Sequence, residues 1–153
     1  MKMRTWMAAL MLGCAGMTVE AQTPAADVDV AAVLGHNLGD KFTRHHQVVD
    51  VMTHLAEARP HWQLEEYGST TEGRPLLGLI MSSEENMANL DALREANRRR
   101  VEEGLDSGDR VVWVYLSYNV HGNEAVCTEA AMATAEALAT THSHLLERAA
   151  VSY

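Results

Sequence analysis

Residues 111–139, VVWVYLSYNVHGNEAVCTEAAMATAEALA, leave a chain little choice of fold. The run 111–118 is rich in Val and aromatics and lacks hydrophobic/polar alternation, which suits a central strand covered on both faces. From about Glu124 to Thr141 the sequence is apolar around most of a helical circumference, so this helix also expects burial on more than one side. A buried strand feeding straight into a buried helix is an α/β pattern. The connection between them carries His121 and Glu124. A link that only reverses the chain needs Gly or Asn, and neither of those two residues.

The preceding residues supply the rest of the pattern. In DKFTRHHQVVDVMTHLAEARP, the residues Phe42, His45, Val49, Met52 and Ala56 recur at spacings of three and four, predicting an amphipathic helix that ends near Arg59, before Pro60. Extended runs at about 62–67 and 75–81 flank a loop with Gly68 and Gly73, predicting a β-hairpin. The segment EENMANLDALREANRRRVEEG predicts a helix stopped by Gly104. Arg98, Arg99 and Arg100 lie at helical spacing from Glu95, Glu102 and Glu103, as on a solvated face with local ion pairs. The expected order is helix, hairpin, helix, central strand, helix: an α/β fold with a mixed sheet. A central strand and an all-round apolar helix need more neighbours than these elements provide. The expectation is therefore the N-terminal part of a larger domain, with ERAAVSY offering no evident closing element.

The first residues read as a targeting signal. MKMR is positively charged, TWMAALMLGCAGM is apolar but too short to span a bilayer, and Val19 and Ala21 occupy the small-residue cleavage positions. Cleavage is expected between Ala21 and Gln22, giving an exported protein, periplasmic or secreted. Cys14 after Gly13 leaves a lipoprotein alternative. Residues 22–39 read as an N-terminal arm or linker, and residues 40–153 as the N-terminal portion of a truncated folded domain. Cleavage would leave Cys127 as the single cysteine, a small packing residue. A formal net charge of −9 argues against a nucleic-acid partner, because phosphate binding needs a basic surface.

His and Glu three residues apart can reach one metal ion if the chain turns between them, and Gly122 offers backbone freedom for that turn. The spacing alone selects nothing. With eight His and 14 Glu among 153 residues, about 0.7 such pairs are expected by chance, yet His54/Glu57, His121/Glu124 and His144/Glu147 all have it. Context separates them. The first pair lies mid-helix and the last in a polar helical tail, whereas His121 and Glu124 sit where a strand ends, the usual place for ligands in open α/β sheets. A purely structural alternative has Asn119 or Asn123 capping the helix and Glu124 favouring its N-terminal dipole.

NVHGNE also resembles the zinc metallocarboxypeptidases, in the HGNE form of the carboxypeptidase N/E-like branch and of large bacterial secreted members. YGSTTEGRPLLGLIMSS is similar to that family's early hairpin, and the likeness extends over residues 40–141. Asn123 stands where the pancreatic-type branch carries Arg. The resemblance implies Zn2+ as cofactor, His121 and Glu124 as its first two protein ligands, and peptide or protein C-termini as substrates. It implies hydrolysis in which zinc activates water and polarises the scissile carbonyl. The third ligand, the carboxylate-binding arginines, the tyrosine and the general-base glutamate would all come later than Tyr153, leaving no catalytic residue within this chain. His142 and His144 cannot replace the missing ligand, since a continued helix would carry them about 27 and 30 Å from its start. Arg74 is expected to stabilise the hairpin loop rather than bind substrate. Two other functions remain open: a related zinc deacylase of N-acyl amino acids, and a non-catalytic, vestigial peptide-binding domain.

Overall fold

The computed structural model describes residues 28–104 and 111–152. The expected targeting signal and its cleavage point lie outside the described residues. The first helix, α1 (Val30–Leu34), begins where Asp29 accepts a hydrogen bond from the Ala32 N–H and stops at Gly35, whose φ of 70° is left-handed. Val28, Val30 and Leu34 are buried. The stretch expected to be an arm or linker therefore joins the core from residue 28 onward.

Helix α2 (His45–Ala58) ends at Arg59, as the sequence predicts. Its core face is Val51, Met52, Leu55 and Ala58, rotated from the expected stripe, while Phe42 precedes the helix and is 74% exposed. The Arg59 guanidinium donates to the Ala58 carbonyl at 2.8 Å and to the Ala139 carbonyl at 2.6 Å, tying the ends of two helices together.

The hairpin forms as expected from β1 (Gln63–Ser69) and β2 (Pro75–Met81), which pair antiparallel. Its loop closes through Thr70 N–H to the Arg74 carbonyl at 2.8 Å, with Gly73 at a φ of 75°. Arg74 pairs with Glu72 at 2.7 Å, so it serves the loop. The next predicted helix is broken at Asn89 into α3 (Glu84–Ala88) and α4 (Leu90–Glu103), the latter capped by Gly104 at a φ of 68°. Arg98 bridges Glu95 and Glu102 on its exposed face.

Strand β3 (Val112–Tyr115) leads through the HGNE loop to α5 (Ala125–Ala139), a 3-10 turn (Ser143–Glu147) and β4 (Ala149–Ser152). The sheet order is β1-β2-β4-β3, with β4 antiparallel to β2 and parallel to β3. The α/β class and the mixed sheet hold, but two expectations about the strands do not. β4 occupies the segment where no closing element was expected. β3 is an edge strand among the described residues, with Val112 and Tyr115 59% and 74% exposed. α5 likewise buries one face, through Ala131, Met132, Ala135, Leu138 and Ala139, and leaves Val126 exposed.

Helices cover both faces of the sheet unequally. Leu79, Met81, Val114 and Val151 point towards α1, α2 and α5, where most of the core lies. Ile80 and Trp113, one residue out of phase, meet Met87 and Leu90 on the other side.

Two glutamates on α5, seven residues apart and hence on one face, fasten the N-terminal segment. Glu136 accepts from Val30 N–H at 2.9 Å, and Glu129 accepts from Thr43 N–H at 2.9 Å and Gly39 N–H at 3.2 Å. Partial burial pushes the Glu129 carboxyl up, but the nearby Thr43 hydroxyl, the two backbone N–H groups and His36 outweigh it and hold it below its ordinary value. A depressed folded value means that this stabilisation is present above the ordinary carboxylate range and is lost as pH falls through the folded value. Glu129→Gln should therefore lower the unfolding free energy at neutral pH by about 1 kcal/mol or more, read from the shift in denaturation midpoint. The gap from wild type should close as the solution is acidified towards about pH 3. A gap of constant size from pH 7 to 3 would show that the charge is not involved.

Candidate metal centre

The sheet delivers β3 to its carboxyl end and then releases it. Leu116 N–H still bonds the Ser152 carbonyl at 2.8 Å, the last rung shared with β4. Leu116 and Tyr118 continue the inward face begun by Val114. The Tyr118 hydroxyl donates to the Thr134 hydroxyl of α5 at 3.4 Å. At Asn119 the backbone turns, with a φ of 55°, the one positive φ at a non-glycine among the described residues. Gly122, expected to supply the freedom for the turn, is not left-handed, and a Cβ there would meet nothing within 4 Å.

Glu124 is the N-cap residue of α5, yet its side chain makes no capping bond to the helix. The side-chain capping bond that the sequence left open is thus absent at Glu124, although its carboxylate still lies at the N-terminal end of α5. The carboxylate turns back instead. Its Oε1 lies 2.8 Å from Nδ1 of His121, and its Oε2 accepts from the His121 N–H at 3.2 Å. Because a carboxylate can only accept, Nδ1 carries the proton in this pairing. The hydrogen bond from the imidazole, followed by that from the His121 backbone, holds the Glu124 carboxyl below its ordinary value.

The other two pairs with the same spacing are not joined by a hydrogen bond among the described residues. His54 is not on the open face of its helix. It is half-buried in α2, with Nε2 sequestered and unpartnered, while Glu57 is exposed. His144 and Glu147 lie in the 3-10 turn beyond the far end of α5, where the His144 ring contacts His142 edge-on. Of the three, only His121 and Glu124 meet.

The donor chemistry of this pair suits zinc, which takes imidazole nitrogen and carboxylate oxygen. Bond lengths of about 2.0–2.1 Å at a tetrahedral ion put two donors about 3.4 Å apart, so the 2.8 Å contact needs only a small opening to admit one. The His121 side chain is 74% exposed and therefore accessible to an ion. Among the described residues, no third His, Cys, Asp or Glu joins the two in a group that could hold a metal. Cys127, one turn further on, is a free and partly exposed thiol rather than a buried packing residue.

A cleft of about 480 Å3 lies beside the loop, lined by Val48, Leu76, Leu77, Tyr118, Asn119 and Ala131 among others. β4 pairs with β2 only at Ile80 and Met81, so on that edge of β2 Pro75, Leu76, Leu77 and Leu79 line the cleft instead of pairing with β4. A larger and more open concavity of about 730 Å3, lined by Arg44, Asp50 and Arg74, contains neither His121 nor Glu124.

A family model described as zinc carboxypeptidase matches residues 48–150, which include the hairpin, both residues of the pair and the first two residues of β4. The chain belongs to the zinc carboxypeptidase family, and its α/β mixed sheet is consistent with part of that fold. No curated protein and no solved structure is significantly similar to it.

The pairing has a direct consequence in solution. His121→Ala removes the largest influence holding the Glu124 carboxyl down. The Glu124 titration, followed by carboxyl carbon NMR in the metal-free chain, should move upward towards the ordinary glutamate value near 4.3. An unchanged titration would mean that the two side chains do not interact in solution.

Proposed function

We propose that this chain supplies the first two protein ligands of a catalytic zinc, His121 and Glu124, in an enzyme that hydrolyses the C-terminal peptide bond of peptides or proteins. One observation carries the reading: of three identically spaced His/Glu pairs, only the one at the carboxyl end of β3 brings its side chains together, at 2.8 Å. Membership of the zinc carboxypeptidase family supports the metal and the reaction class. When bound, zinc supplies Lewis-acid polarisation of an acyl carbonyl and activation of water. His121 and Glu124 hold the ion in place, and the exposed side of the pair leaves room for substrate.

The described residues supply two donors where a catalytic zinc takes three. The third ligand and the general base come from polypeptide other than residues 28–104 and 111–152. An N-terminal charged and apolar run supports export of the enzyme, to act on peptides in the periplasm or outside the cell.

By this account the 153-residue chain alone should bind Zn2+ weakly and release no C-terminal amino acid. In the zinc-loaded enzyme that contains this segment, His121→Ala or Glu124→Ala should abolish turnover and most of the bound metal, since each removes one of three ligands. Glu57→Ala, His144→Ala and Glu147→Ala should keep stoichiometric metal and near-normal turnover. His54→Ala should lose stability through its half-buried ring yet retain metal. Elemental analysis and peptide hydrolysis across the six variants provide the comparison. Full zinc in His121→Ala, with loss in His54→Ala or His144→Ala, would refute the assignment.

A further inference from the structure

The loop that carries the His121–Glu124 pair is short and exposed, and its one internal backbone bond runs from the Glu124 N–H to the His121 carbonyl at 3.1 Å, so side chains must fix how it sits against β3 and α5. Three observations converge on Asn119. Its φ of 55° lies in the left-handed region, which costs most residues about 1–2 kcal/mol and which Asn tolerates better than others. Its side-chain Nδ2 donates to the Thr128 hydroxyl oxygen, one turn into α5, at 2.8 Å. The same Nδ2 faces the carbonyl oxygen of Glu124 at 3.4 Å. That carbonyl can only accept, so the group facing it is the amide nitrogen, and the orientation of the side chain is settled by its partners.

Asn119 thus does two things at one position. Its backbone turns the chain out of the line of β3, and its side chain spans the mouth of the loop to both the N-cap residue and the first turn of α5. Residues 120–124 are enclosed between these two fixed ends. The Glu124 backbone cannot shift without breaking the amide bridge, and the His121 ring depends on the Glu124 carboxylate for its orientation. A side chain that fixes the base of one ligand and, through it, the ring orientation of the other acts on the metal without touching it.

We infer that Asn119, bridged to Thr128, is the positioning residue that holds His121 and Glu124 in ligand geometry before any metal arrives. The inference rests on the reading of that pair as zinc ligands, but it makes a claim about the metal-free chain that can be tested separately. In the 15N-labelled full chain without metal, at about pH 8 where imidazole is ordinarily neutral, the His121 ring nitrogens should report a single tautomer with the proton on Nδ1. Asn119→Gly keeps the backbone freedom and deletes the bridge. Thr128→Val keeps the shape of the partner and deletes its acceptor. Both should shift the His121 ring signals to an averaged tautomer pattern. Both should also weaken Zn2+ binding, followed by NMR titration with zinc chloride, by about tenfold. Thr128→Ser, which restores the hydroxyl, should return both properties to wild type. A merely structural role for Asn119 would change thermal stability and leave the tautomer alone. Wild-type tautomer and wild-type Zn2+ binding in both Asn119→Gly and Thr128→Val would overturn the inference. An averaged tautomer with unaltered Zn2+ affinity would support the positioning role and contradict the assignment of the pair as ligands.

Discussion

The position of the HGNE loop depends on a ladder only four residues long. β3 is joined to the rest of the sheet solely through β4 among the described residues, by parallel pairs from Val112–Ala149 to Tyr115–Ser152. β4 in turn touches β2 at two residues. So short a strand needs help from its flanks, and Ser82 provides it. This fully buried hydroxyl donates towards the carbonyls of Ala149 at 2.6 Å and Leu146 at 3.1 Å, while Asn86 donates to it at 2.9 Å. Trp62 donates to the Ser82 carbonyl from the other side. The cluster fixes the 3-10 turn that launches β4, β4 fixes β3, and β3 aims the loop. Each group in it is satisfied, as buried polar groups must be when no water can reach them.

The features that were plain in the sequence share a physical property: they are local. The hairpin declares itself through two extended runs and a glycine with positive φ. α2 declares itself through apolar spacing and a proline after its end. The pair at His121 and Glu124 stood out because a strand-to-helix corner has a characteristic composition. What could not be read depended on partners distant in sequence. β4 is four residues of mostly small side chains, too few to show a period, and it exists because β2 and β3 pair with it. The edge position of β3 follows from that insertion. The burial of Val30 and the anchoring of residues 39–43 come from Glu136 and Glu129, about 90 to 106 positions away, which no pattern of spacing links to them. Asn119 had been considered only as a helix cap. Its left-handed backbone is a geometric fact that a sequence containing Gly122 three residues later tends to conceal.

The corner holds an imidazole and a carboxylate together at an exposed position. Glu124 would be costly as an isolated charge only if it were buried, and it is not. The 2.8 Å contact with His121 gives its lone pairs a partner and gives the imidazole a fixed face. Under the proposed function, a metal arriving there would displace one hydrogen bond and one proton and meet two donors already within reach of a common point. His54 offers the contrast. Its Nε2 is enclosed by the core, with no carboxylate beside it, so the same spacing on a helix yields no metal centre. The identity of a ligand pair is set by where the backbone ends a strand, and the number of residues between the two is secondary.

The central claim is that zinc binds between the strand end and the helix start. It is tested most directly by anomalous scattering at the zinc absorption edge, from crystals of the chain grown with the metal. The account predicts a peak within bonding distance, about 2.0–2.2 Å, of an imidazole nitrogen of His121 and a carboxylate oxygen of Glu124. A peak at His54, at His142 and His144, or in the concavity beside Arg74, with none at the corner, would contradict it.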